Sequence, residues 1–369
     1  MLLMYITKVS GHRAATLAIE RALNQLDPTA EIMSINGFGY TYPTIEKVVN
    51  KAYMGIIKRT PQIWDYLYDN PKIVKKTESL KNYIHKTSHD KLRRLFETFQ
   101  PDAVVCTQAF PCGMVADFKR VYPSKYVLIG VLTDYAPHGF WINEGVDYYI
   151  VPCEETKRHF VGKGVSPEAI KVFGIPIQTK FGKRLNRHLL SQKLGLQEDL
   201  PTVLIMGGGQ GLGPIKGAVR SLLKVKKEFQ IIVVAGTNKR LIKWLKNTTQ
   251  KKDKKILIFE YVENIDELMG LATLLITKPG GMTTAEALAK GLPMVIIKPL
   301  PGQEVRNTEF LLQEDIAIRV DKTKEIGNQV ELLLKNSQRL SLMRNAALRN
   351  SHPQAALDIA RLILGQPHN

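Results

Sequence analysis

The sequence predicts an α/β protein with two successive sheets of parallel strands. Short apolar runs alternate with longer segments of helical periodicity, a pattern typical of parallel strands that helices cover on both faces. The same alternation starts again after a basic, polar stretch at 180–195, which is typical of a link between domains. The chain has 369 residues, enough for two domains that each bury a core.

Four apolar runs precede this linking stretch. The first passes directly into Thr7, Lys8 and a glycine turn without the basic leader or cleavage site of a secretory signal, so we interpret it as a buried strand. Residues 36–100 interrupt the order, because they contain no convincing strand and combine aromatic side chains with many basic ones. The predicted strands are Leu2–Ile6, Ala103–Cys106, Tyr126–Leu132 and Tyr148–Val151.

Five more runs follow the linking stretch. The predicted domains are an N-terminal domain at 1–178, which contains the insertion at 36–100, and a C-terminal domain at 179–352. Residues 353–369 are predicted to form a C-terminal helix, for which a return to the N-terminal domain is one option. The predicted strands of the C-terminal domain are Thr202–Met206, Gln230–Ala235, Ile256–Phe259, Leu274–Thr277 and Met294–Ile297.

Charge and cysteine content limit the classes of partner and compartment. The chain has 52 lysines and arginines against 34 acidic residues, and the net charge of +18 favours a phosphate-bearing ligand, an acidic membrane surface or nucleic acid. Cys106, Cys112 and Cys153 have neither disulfide-framework nor zinc-ligand spacing, which favours a reducing cytosol. No apolar run approaches the roughly 18–20 residues that span a bilayer, so any membrane contact is expected to be peripheral.

Two glycine-rich loops, at 207–213 and 278–281, each connect a predicted strand to a predicted helix. Such loops let backbone N–H groups and a helix N-terminus approach a phosphate, although glycine turns also arise for packing alone. The first loop has neither the full dinucleotide spacing nor a P-loop lysine. Two loops at one sheet edge favour a diphosphate. Glu286, in the helical turn after the second loop, either complements the helix dipole or accepts hydrogen bonds from a ribose diol.

Six strings of residues follow one another in a specific order along the chain. They are Ser10-Gly-His-Arg-Ala-Ala, Leu132-Thr-Asp-Tyr-Ala-Pro-His-Gly-Phe-Trp, Gly174-Ile-Pro-Ile, Met206-Gly-Gly-Gly-Gln-Gly-Leu-Gly, Lys278-Pro-Gly-Gly-Met-Thr-Thr-Ala-Glu-Ala and Pro301-Gly-Gln-Glu. Together they resemble the monogalactosyldiacylglycerol synthase and processive diacylglycerol glucosyltransferase family. The resemblance implies a GT-B architecture, in which two Rossmann-like domains have parallel sheets that face each other across a cleft.

The resemblance also implies donor-binding residues for a UDP-hexose, held mainly by the C-terminal domain. It places the uracil near Tyr261 and Val262, the ribose on Glu286 and the sugar hydroxyls on Gln303 and Glu304; an ordinary helix start is the alternative for the last two. The sequence has no Asp-x-Asp triplet, so we expect neither a metal nor another cofactor. The residues assigned to the diphosphate are Gly208, Gly209, Gln210, Gly211, Gly280, Gly281, Met282 and Thr283.

A glycosyl transfer with inversion needs a base that takes the proton from the acceptor hydroxyl. His12 is the predicted base, because it follows the first strand and an ordinary histidine pKa near 6.5 suits proton abstraction around neutral pH. Helix capping or packing is the alternative role of such a histidine. Asp134, at another strand end, is the rival base or orients the acceptor. Gly11, His138 and Trp141 are assigned to acceptor binding, although an aromatic residue such as Trp141 is as often part of the core.

The insertion at 36–100 offers a surface for a membrane. Its apolar positions repeat at helical spacing, with basic residues between them and an aromatic cluster after them, which is typical of a helix that lies on an anionic leaflet. An amphipathic helix that packs its apolar face on its own domain is the alternative. The residues assigned to the membrane are Lys47, Lys51, Tyr53, Ile56, Lys58, Arg59 and Trp64.

These assignments predict a cytoplasmic enzyme, peripheral on the inner face of the cell membrane, that transfers glucose or galactose from a UDP-sugar to diacylglycerol. Two alternatives of the same class stay open: transfer of N-acetylglucosamine to a polyprenyl-linked acceptor, and epimerisation of a UDP-sugar. A basic nucleic-acid-binding protein also accounts for the charge. Because the sequence has no recognised nucleic-acid motif, we expect no nucleic acid among the partners.

Overall fold

The computed structural model describes residues 1–7, 10–42, 89–122, 124–136, 139–250 and 254–365. Within it the chain divides into two units. The N-terminal unit comprises Met1–Thr179, Leu300–Gln303 and His352–Asn369, and the C-terminal unit comprises Lys180–Pro299 and Glu304–Ser351.

The N-terminal unit is built on a six-stranded parallel sheet. Its strands are β1 (Leu2–Tyr5), β2 (Met33–Asn36), β3 (Ala103–Cys106), β4 (Val127–Val131), β5 (Tyr148–Ile150) and β6 (Ile170–Lys171). They lie in the order β2-β1-β3-β4-β5-β6. The central strand β3 is buried along its whole length, as expected for a strand with both faces covered. The edge strands β2 and β6 were not among the predicted strands, because β2 alternates apolar and polar residues and β6 has only two residues.

The C-terminal unit contains a second six-stranded parallel sheet. Its strands are β7 (Thr202–Met206), β8 (Gln230–Val234), β9 (Ile256–Phe259), β10 (Leu274–Thr277), β11 (Met294–Ile297) and β12 (Ala317–Val320). They lie in the order β12-β11-β10-β7-β8-β9. The predicted α/β class with two parallel sheets is therefore confirmed. Only the edge strand β12 of this sheet was not predicted, since it carries an exposed arginine among its apolar residues.

Helices connect the strands in both units. In chain order they are α1 (Gly11–Leu26), α2 (Gly37–Thr41), α3 (89–99), α4 (Ala109–Val121), α5 (Glu154–Val161), α6 (Arg187–Leu194), α7 (Ile215–Leu222), α8 (Lys239–Thr249), α9 (Ile265–Leu271), α10 (Gly281–Ala289), α11 (Gln303–Gln313), α12 (Ile326–Lys335), α13 (Ser337–Arg349) and α14 (Ala355–Leu364). Among the described residues, no helix has the length and apolar character needed to cross a membrane.

The last helix packs in the N-terminal unit. Helices α1 and α14 contact each other, and both contribute to the core on one face of that unit's sheet. Ala18 and Ala22 of α1, like Ala356 and Ala360 of α14, are buried in this core. Four small side chains, spaced four residues apart on each helix, let the two helices approach closely.

The stretch at 180–195, interpreted from the sequence as a linker, is part of the C-terminal unit. It contains α6, whose first residue, Arg187, donates hydrogen bonds to the backbone oxygens of Gly270 and Leu271. Because these oxygens lie at the end of α9, the arginine satisfies carbonyl groups that the helix itself leaves unpaired.

Each sheet has a point at which its strand order reverses. In the N-terminal unit the chain passes from β1 to β2 on one side and later returns to β3 on the other side of β1. In the C-terminal unit the same reversal separates β7 from β10. The loops that leave two such strands at their carboxyl ends diverge and open a crevice, which is where ligands bind in open α/β sheets.

Candidate functional site

His12 lies at the reversal point of the N-terminal sheet. It is the second residue of α1, which follows β1, and Ser10 caps this helix by accepting a hydrogen bond from the Arg13 N–H at 3.2 Å. The Ser10 hydroxyl also donates to the Ile6 backbone oxygen at 2.8 Å. The cap therefore ties the start of α1 to the end of β1 and sets the position of the imidazole.

The imidazole of His12 is oriented by two groups that follow other strands. Nδ1 lies 2.9 Å from the backbone oxygen of Thr107, just after β3, and 3.0 Å from Thr133 Oγ1, just after β4. A carbonyl oxygen can only accept, so Nδ1 carries the hydrogen and the lone pair of the neutral ring is on Nε2. His12 is thus held in the tautomer that a general base at Nε2 requires.

Three buried threonines surround this histidine. The His12 backbone oxygen lies 3.0 Å from the hydroxyls of both Thr16 and Thr107, which are 2.9 Å from each other. The third threonine is Thr133, and none of the three was assigned to the site from the sequence. The available signal was a polar residue directly after a buried apolar strand, at Thr107 after β3 and at Thr133 after β4.

The surroundings of His12 change its acid–base properties. Burial penalises the charged imidazolium and lowers the pKa of His12 to about 4, against which the hydrogen bond to Thr107 acts in the opposite direction. The expected pKa near 6.5 is therefore wrong for the folded protein. His12 is neutral throughout the physiological range, which keeps the Nε2 lone pair available at the expense of basicity.

The other residues assigned to the acceptor have different positions. Gly11 is the exposed first residue of α1. Asp134 follows Thr133 at the carboxyl end of β4 and is partly buried, so it shares the sheet edge with His12. Trp141 is 4% exposed and packs in the core of the N-terminal unit, so its assignment to the acceptor stays a prediction. His138 and the predicted membrane residues from Lys47 to Trp64 lie outside the described residues.

The first glycine loop, after β7, is closely packed. Gly211 has a positive φ of 57°, and a Cβ there would lie 2.0 Å from the Ala235 backbone oxygen. Hydrogen bonds join Leu212 N–H to the Gly207 oxygen at 3.0 Å and Thr237 N–H to the Gly209 oxygen at 3.0 Å. Glycine is required at position 211 by close packing as well as by backbone conformation. At the tip of the loop, Gly209 and Gln210 are exposed.

The second glycine loop, after β10, leads into α10. Gly280 is the N-cap and contributes no side-chain hydrogen bond, so the first N–H groups of α10 are not capped by a side chain. Met282 and Thr283 in the first turn are partly buried. The buried Thr284 Oγ1 has no hydrogen-bond partner within the described residues. Uncapped N–H groups and the helix dipole make this terminus suited to an anion.

Lys278 brings the two glycine loops together. A Cβ added at Gly208 would lie 3.9 Å from Lys278 Cε, so the lysine side chain runs beside the first loop. Its Nζ lies 2.5 Å from Glu304 Oε1. Lys278 was not assigned from the sequence, although it directly follows β10. Because β7 and β10 are neighbours at the reversal point, a cation and two glycine loops meet at one edge, as a diphosphate site needs.

The remaining donor residues lie on two segments, the loop after β9 and the start of α11. The ring of Tyr261 is 64% exposed and lies beside Gly209, since a Cβ there would be 3.7 Å from Tyr261 Cε2. Val262 follows it and is partly buried. Gln303 and Glu304 are the first two residues of α11.

A buried amide holds the second loop in place. Asn307 Nδ2, on α11, donates to the Pro279 backbone oxygen at 3.0 Å. Asn307 is fully buried. Its hydrogen bond anchors α11 to the loop that carries Lys278 and Gly280. Asn307 was not among the residues assigned from the sequence.

Glu286 lies in a charged cluster at the side of α10. The pKa of Glu286 is raised to about 8, mainly by burial; the charge of Lys180 lowers it and that of Asp266 raises it. Lys180 itself forms an ion pair with Asp266 at 2.9 Å. Near neutral pH the Glu286 carboxyl is therefore largely protonated and can both donate a hydrogen bond to a diol and accept one from it.

Comparisons with known proteins agree over nearly the whole chain. Residues 12–177 match the family model for monogalactosyldiacylglycerol (MGDG) synthase, and residues 202–359 match that for the glycosyltransferase family 28 C-terminal domain. A processive diacylglycerol beta-glucosyltransferase of Bacillus cereus strain AH187 is 30% identical over 361 residues, which cover 97% of this chain and 92% of the relative.

Solved structures confirm the predicted GT-B fold class. MurG of Acinetobacter baumannii superposes with a TM-score of 0.67 at 15% identity, covering 99% of each chain. UDP-GlcNAc 2-epimerase from Neisseria meningitidis, solved with UDP-GlcNAc bound, gives a TM-score of 0.62 at 14% identity over 99% of this chain and 100% of that one. At such low sequence identity, these similarities establish the fold alone.

Proposed function

Because this chain belongs to the monogalactosyldiacylglycerol synthase and processive diacylglycerol glucosyltransferase family, we propose that it transfers glucose or galactose from a UDP-sugar to diacylglycerol with inversion. The acceptor class is taken from the name of the B. cereus relative, which matches 97% of this chain. The sugar-nucleotide class is supported by the glycine loops and Lys278, which suit a diphosphate. The observation that carries the proposal is the state of His12, a neutral histidine whose free Nε2 lies at the ligand-binding edge of a sheet.

In the proposed reaction the acceptor hydroxyl attacks the anomeric carbon of the donor. A bond forms from the acceptor oxygen to the anomeric carbon, and the bond from that carbon to the diphosphate oxygen breaks. His12 Nε2 takes the hydroxyl proton, and Nδ1–H remains donated toward the Thr107 oxygen, which stabilises the imidazolium as it forms. Asp134 is proposed to orient the acceptor. Attack from the face opposite the leaving UDP inverts the anomeric configuration.

The leaving UDP gains negative charge, which the C-terminal unit is suited to stabilise. The uncapped N-terminus of α10 provides backbone N–H groups, and Lys278 provides a full positive charge held in place by Glu304. We propose that these groups bind UDP without a divalent metal. Glu286 is proposed to hold the ribose hydroxyls, with Lys180 close enough to bias its protonation.

The proposed acceptor is a membrane lipid, so the enzyme has to reach a bilayer. We propose a cytoplasmic enzyme that is peripheral on the inner face of the cell membrane. The support for an anionic leaflet is the net charge of +18. The predicted membrane residues in the insertion remain part of this proposal.

A panel of UDP-sugars tests the reaction. Purified protein is incubated with diacylglycerol in neutral detergent micelles and each UDP-sugar, and the lipid product is identified by mass spectrometry. We expect a monohexosyl lipid from UDP-glucose or UDP-galactose, with UDP released in equal amount. Transfer only of N-acetylglucosamine, to a polyprenyl-linked acceptor supplied in a parallel reaction, or interconversion of UDP-sugars without a lipid product, would replace this proposal by one of the two alternatives.

Two variants separate the candidate bases. His12→Ala should lower the single-turnover rate by about 10²–10⁴-fold, because a positioned base typically contributes that much. UDP-sugar affinity should stay nearly unchanged, since His12 belongs to the N-terminal unit and is proposed to touch the acceptor. Asp134→Asn is the matched comparison, and it should cost less. A folded His12→Ala protein that keeps more than about a tenth of the parent rate would move the base to Asp134.

A further inference from the structure

The positive charge of the C-terminal half is concentrated in one segment. Residues 181–369 contain 29 lysines and arginines and 17 acidic residues. Residues 214–250 and 254–255 hold eleven of these basic residues and a single acidic residue, Glu228. The rest of that half is nearly balanced, with eighteen basic against sixteen acidic residues. Most of the excess positive charge of this half therefore lies in that one segment.

Six of these eleven basic residues lie on the outer surface of two neighbouring helices, α7 and α8. Lys216 and Arg220 of α7 reach over the ring of Trp244 on α8, with Nζ 5.4 Å and Cζ 5.1 Å from the ring centroid. The two helices therefore present one continuous surface, with the partly buried indole beneath the cations. We call this surface the α7–α8 basic face; its exposed cations are Lys216, Arg220, Lys239, Arg240, Lys243 and Lys246.

The spacing of the basic residues along α8 places them on the side of the helix opposite the core. Lys239, Lys243 and Lys246 are four and three residues apart, so they form one stripe of the helix. Leu241 and Leu245, on the opposite side, are buried in the core of the C-terminal unit. The apolar side of α8 is thus fully used in packing, and its basic side faces solvent.

Among the described residues, acidic partners are missing from this face but present elsewhere in the C-terminal unit. Within the part of the chain that the structure describes, none of the six cations forms an ion pair. On α12 and α13, by contrast, Lys335 pairs with Glu331 at 2.7 Å and Arg339 pairs with Asp315 at 2.8 Å. Closely spaced cations without counter-charges repel one another, and an external anionic surface would relieve that repulsion.

We propose that the α7–α8 basic face docks the C-terminal unit on an anionic lipid leaflet, an inference that rests on the proposed lipid acceptor. An anionic leaflet matches a broad array of lysines and arginines, whose long side chains reach the head groups independently. Single-stranded nucleic acid is the less favoured occupant, because it needs exposed aromatic rings for stacking. Trp244, the aromatic ring on this face, lies partly buried under Lys216 and Arg220.

Cosedimentation with vesicles tests the proposal. The test variant replaces Lys239, Arg240, Lys243 and Lys246 with glutamine. The matched control removes four exposed cations elsewhere in the same unit, Lys193, Lys322, Arg344 and Arg349, so both variants have the same net charge. The full-length proteins are compared on phosphatidylcholine vesicles with and without phosphatidylglycerol, and thermal unfolding confirms that each is folded.

We expect the parent and the control to bind the anionic vesicles, with binding that falls steeply as salt rises. The test variant should bind at least about tenfold more weakly, because each cation near an anionic leaflet contributes about fivefold to partition. Equal losses in the two variants, or equal binding of the parent to neutral vesicles, would overturn the proposal. So would a test variant that keeps vesicle binding but loses affinity for a single-stranded oligonucleotide, which would assign the face to nucleic acid.

Hexosyl transfer in neutral micelles separates this inference from the proposed function. The test variant should keep the parent rate there, because none of its substitutions replaces a residue assigned to catalysis or to the donor, and no leaflet is needed. A parent that binds anionic vesicles through this face yet forms no hexosyl lipid would contradict the proposed function alone. A parent that forms the lipid but binds vesicles independently of the face would contradict this inference alone.

Discussion

Lowering the pH tests the environment that the structure gives to His12. Burial lowers the pKa of His12 from 6.5 to about 4. At about pH 5.5, a histidine of pKa 6.5 would be about 10% neutral, whereas one of pKa about 4 would be about 97% neutral. We therefore expect kcat/KM for hexosyl transfer to change by less than about twofold between about pH 7.5 and 5.5, where an ordinary histidine base would lose about tenfold.

The assay uses diacylglycerol in neutral micelles, so that changes in membrane docking do not enter. UDP-sugar affinity and circular dichroism are measured at both ends of the range, to show that donor binding and the fold are retained. Asp134→Asn is the control, since an acidic limb that survives this change does not belong to the neighbouring carboxylate. A parent profile with an acidic limb centred near pH 6.5, unchanged in Asp134→Asn, would refute the argument that burial keeps His12 neutral.

Three further predictions concern Glu286, Thr133 and Asn307. The pKa of Glu286 is about 8 in the folded protein and 4.5 in the unfolded chain, so the contribution of this carboxyl to stability is full below about pH 4.5 and is lost as the pH rises through 8. Glu286→Gln should therefore flatten the decline of Tm with rising pH. An unchanged decline would show that other groups cause it. Thr133→Val removes the hydroxyl 3.0 Å from His12 Nδ1 and should lower kcat several-fold without changing UDP affinity in calorimetry; unchanged kcat would show that the hydroxyl does not position the ring. Asn307→Ala removes a buried hydrogen bond and should lower the free energy of unfolding in urea by about 1–3 kcal/mol. The control Asn350→Ala removes a solvent-exposed hydrogen bond and should lower it less, and equal losses would count against the anchoring role of Asn307.

The central strands could be predicted from the sequence because burial on both faces leaves a continuous apolar run. β3, β7 and β10 have the predicted bounds at both ends. Three of the four edge strands, β2, β6 and β12, could not be predicted in this way, since a strand with one free edge tolerates polar residues and short length. The fourth, β9, is a continuous apolar run and has the predicted bounds. The helix α6 was missed for a related reason, because its exposed basic side chains resemble those of a linker.

The local features of the candidate site could be predicted from the amino-acid sequence alone. A glycine loop can be identified as a loop, and His12 as a histidine that follows the first strand by a few residues, because both depend on neighbours within a few positions along the chain. The same holds for the concentration of basic residues at 214–255, which is a matter of composition.

Contacts between residues far apart in the chain depend on how the strands pair in the folded protein. Thr107 and Thr133 are 95 and 121 residues from His12 in the chain, and they reach its Nδ1 because β3 pairs with β1 and β4 pairs with β3. Lys278 lies beside Gly208 because β10 pairs with β7. The tautomer and lowered pKa of His12 and the raised pKa of Glu286 follow from these neighbours and from burial. Hydrogen bonding and desolvation depend on distance in space, and the order of strands in a sheet is set by long-range pairing that no local pattern encodes.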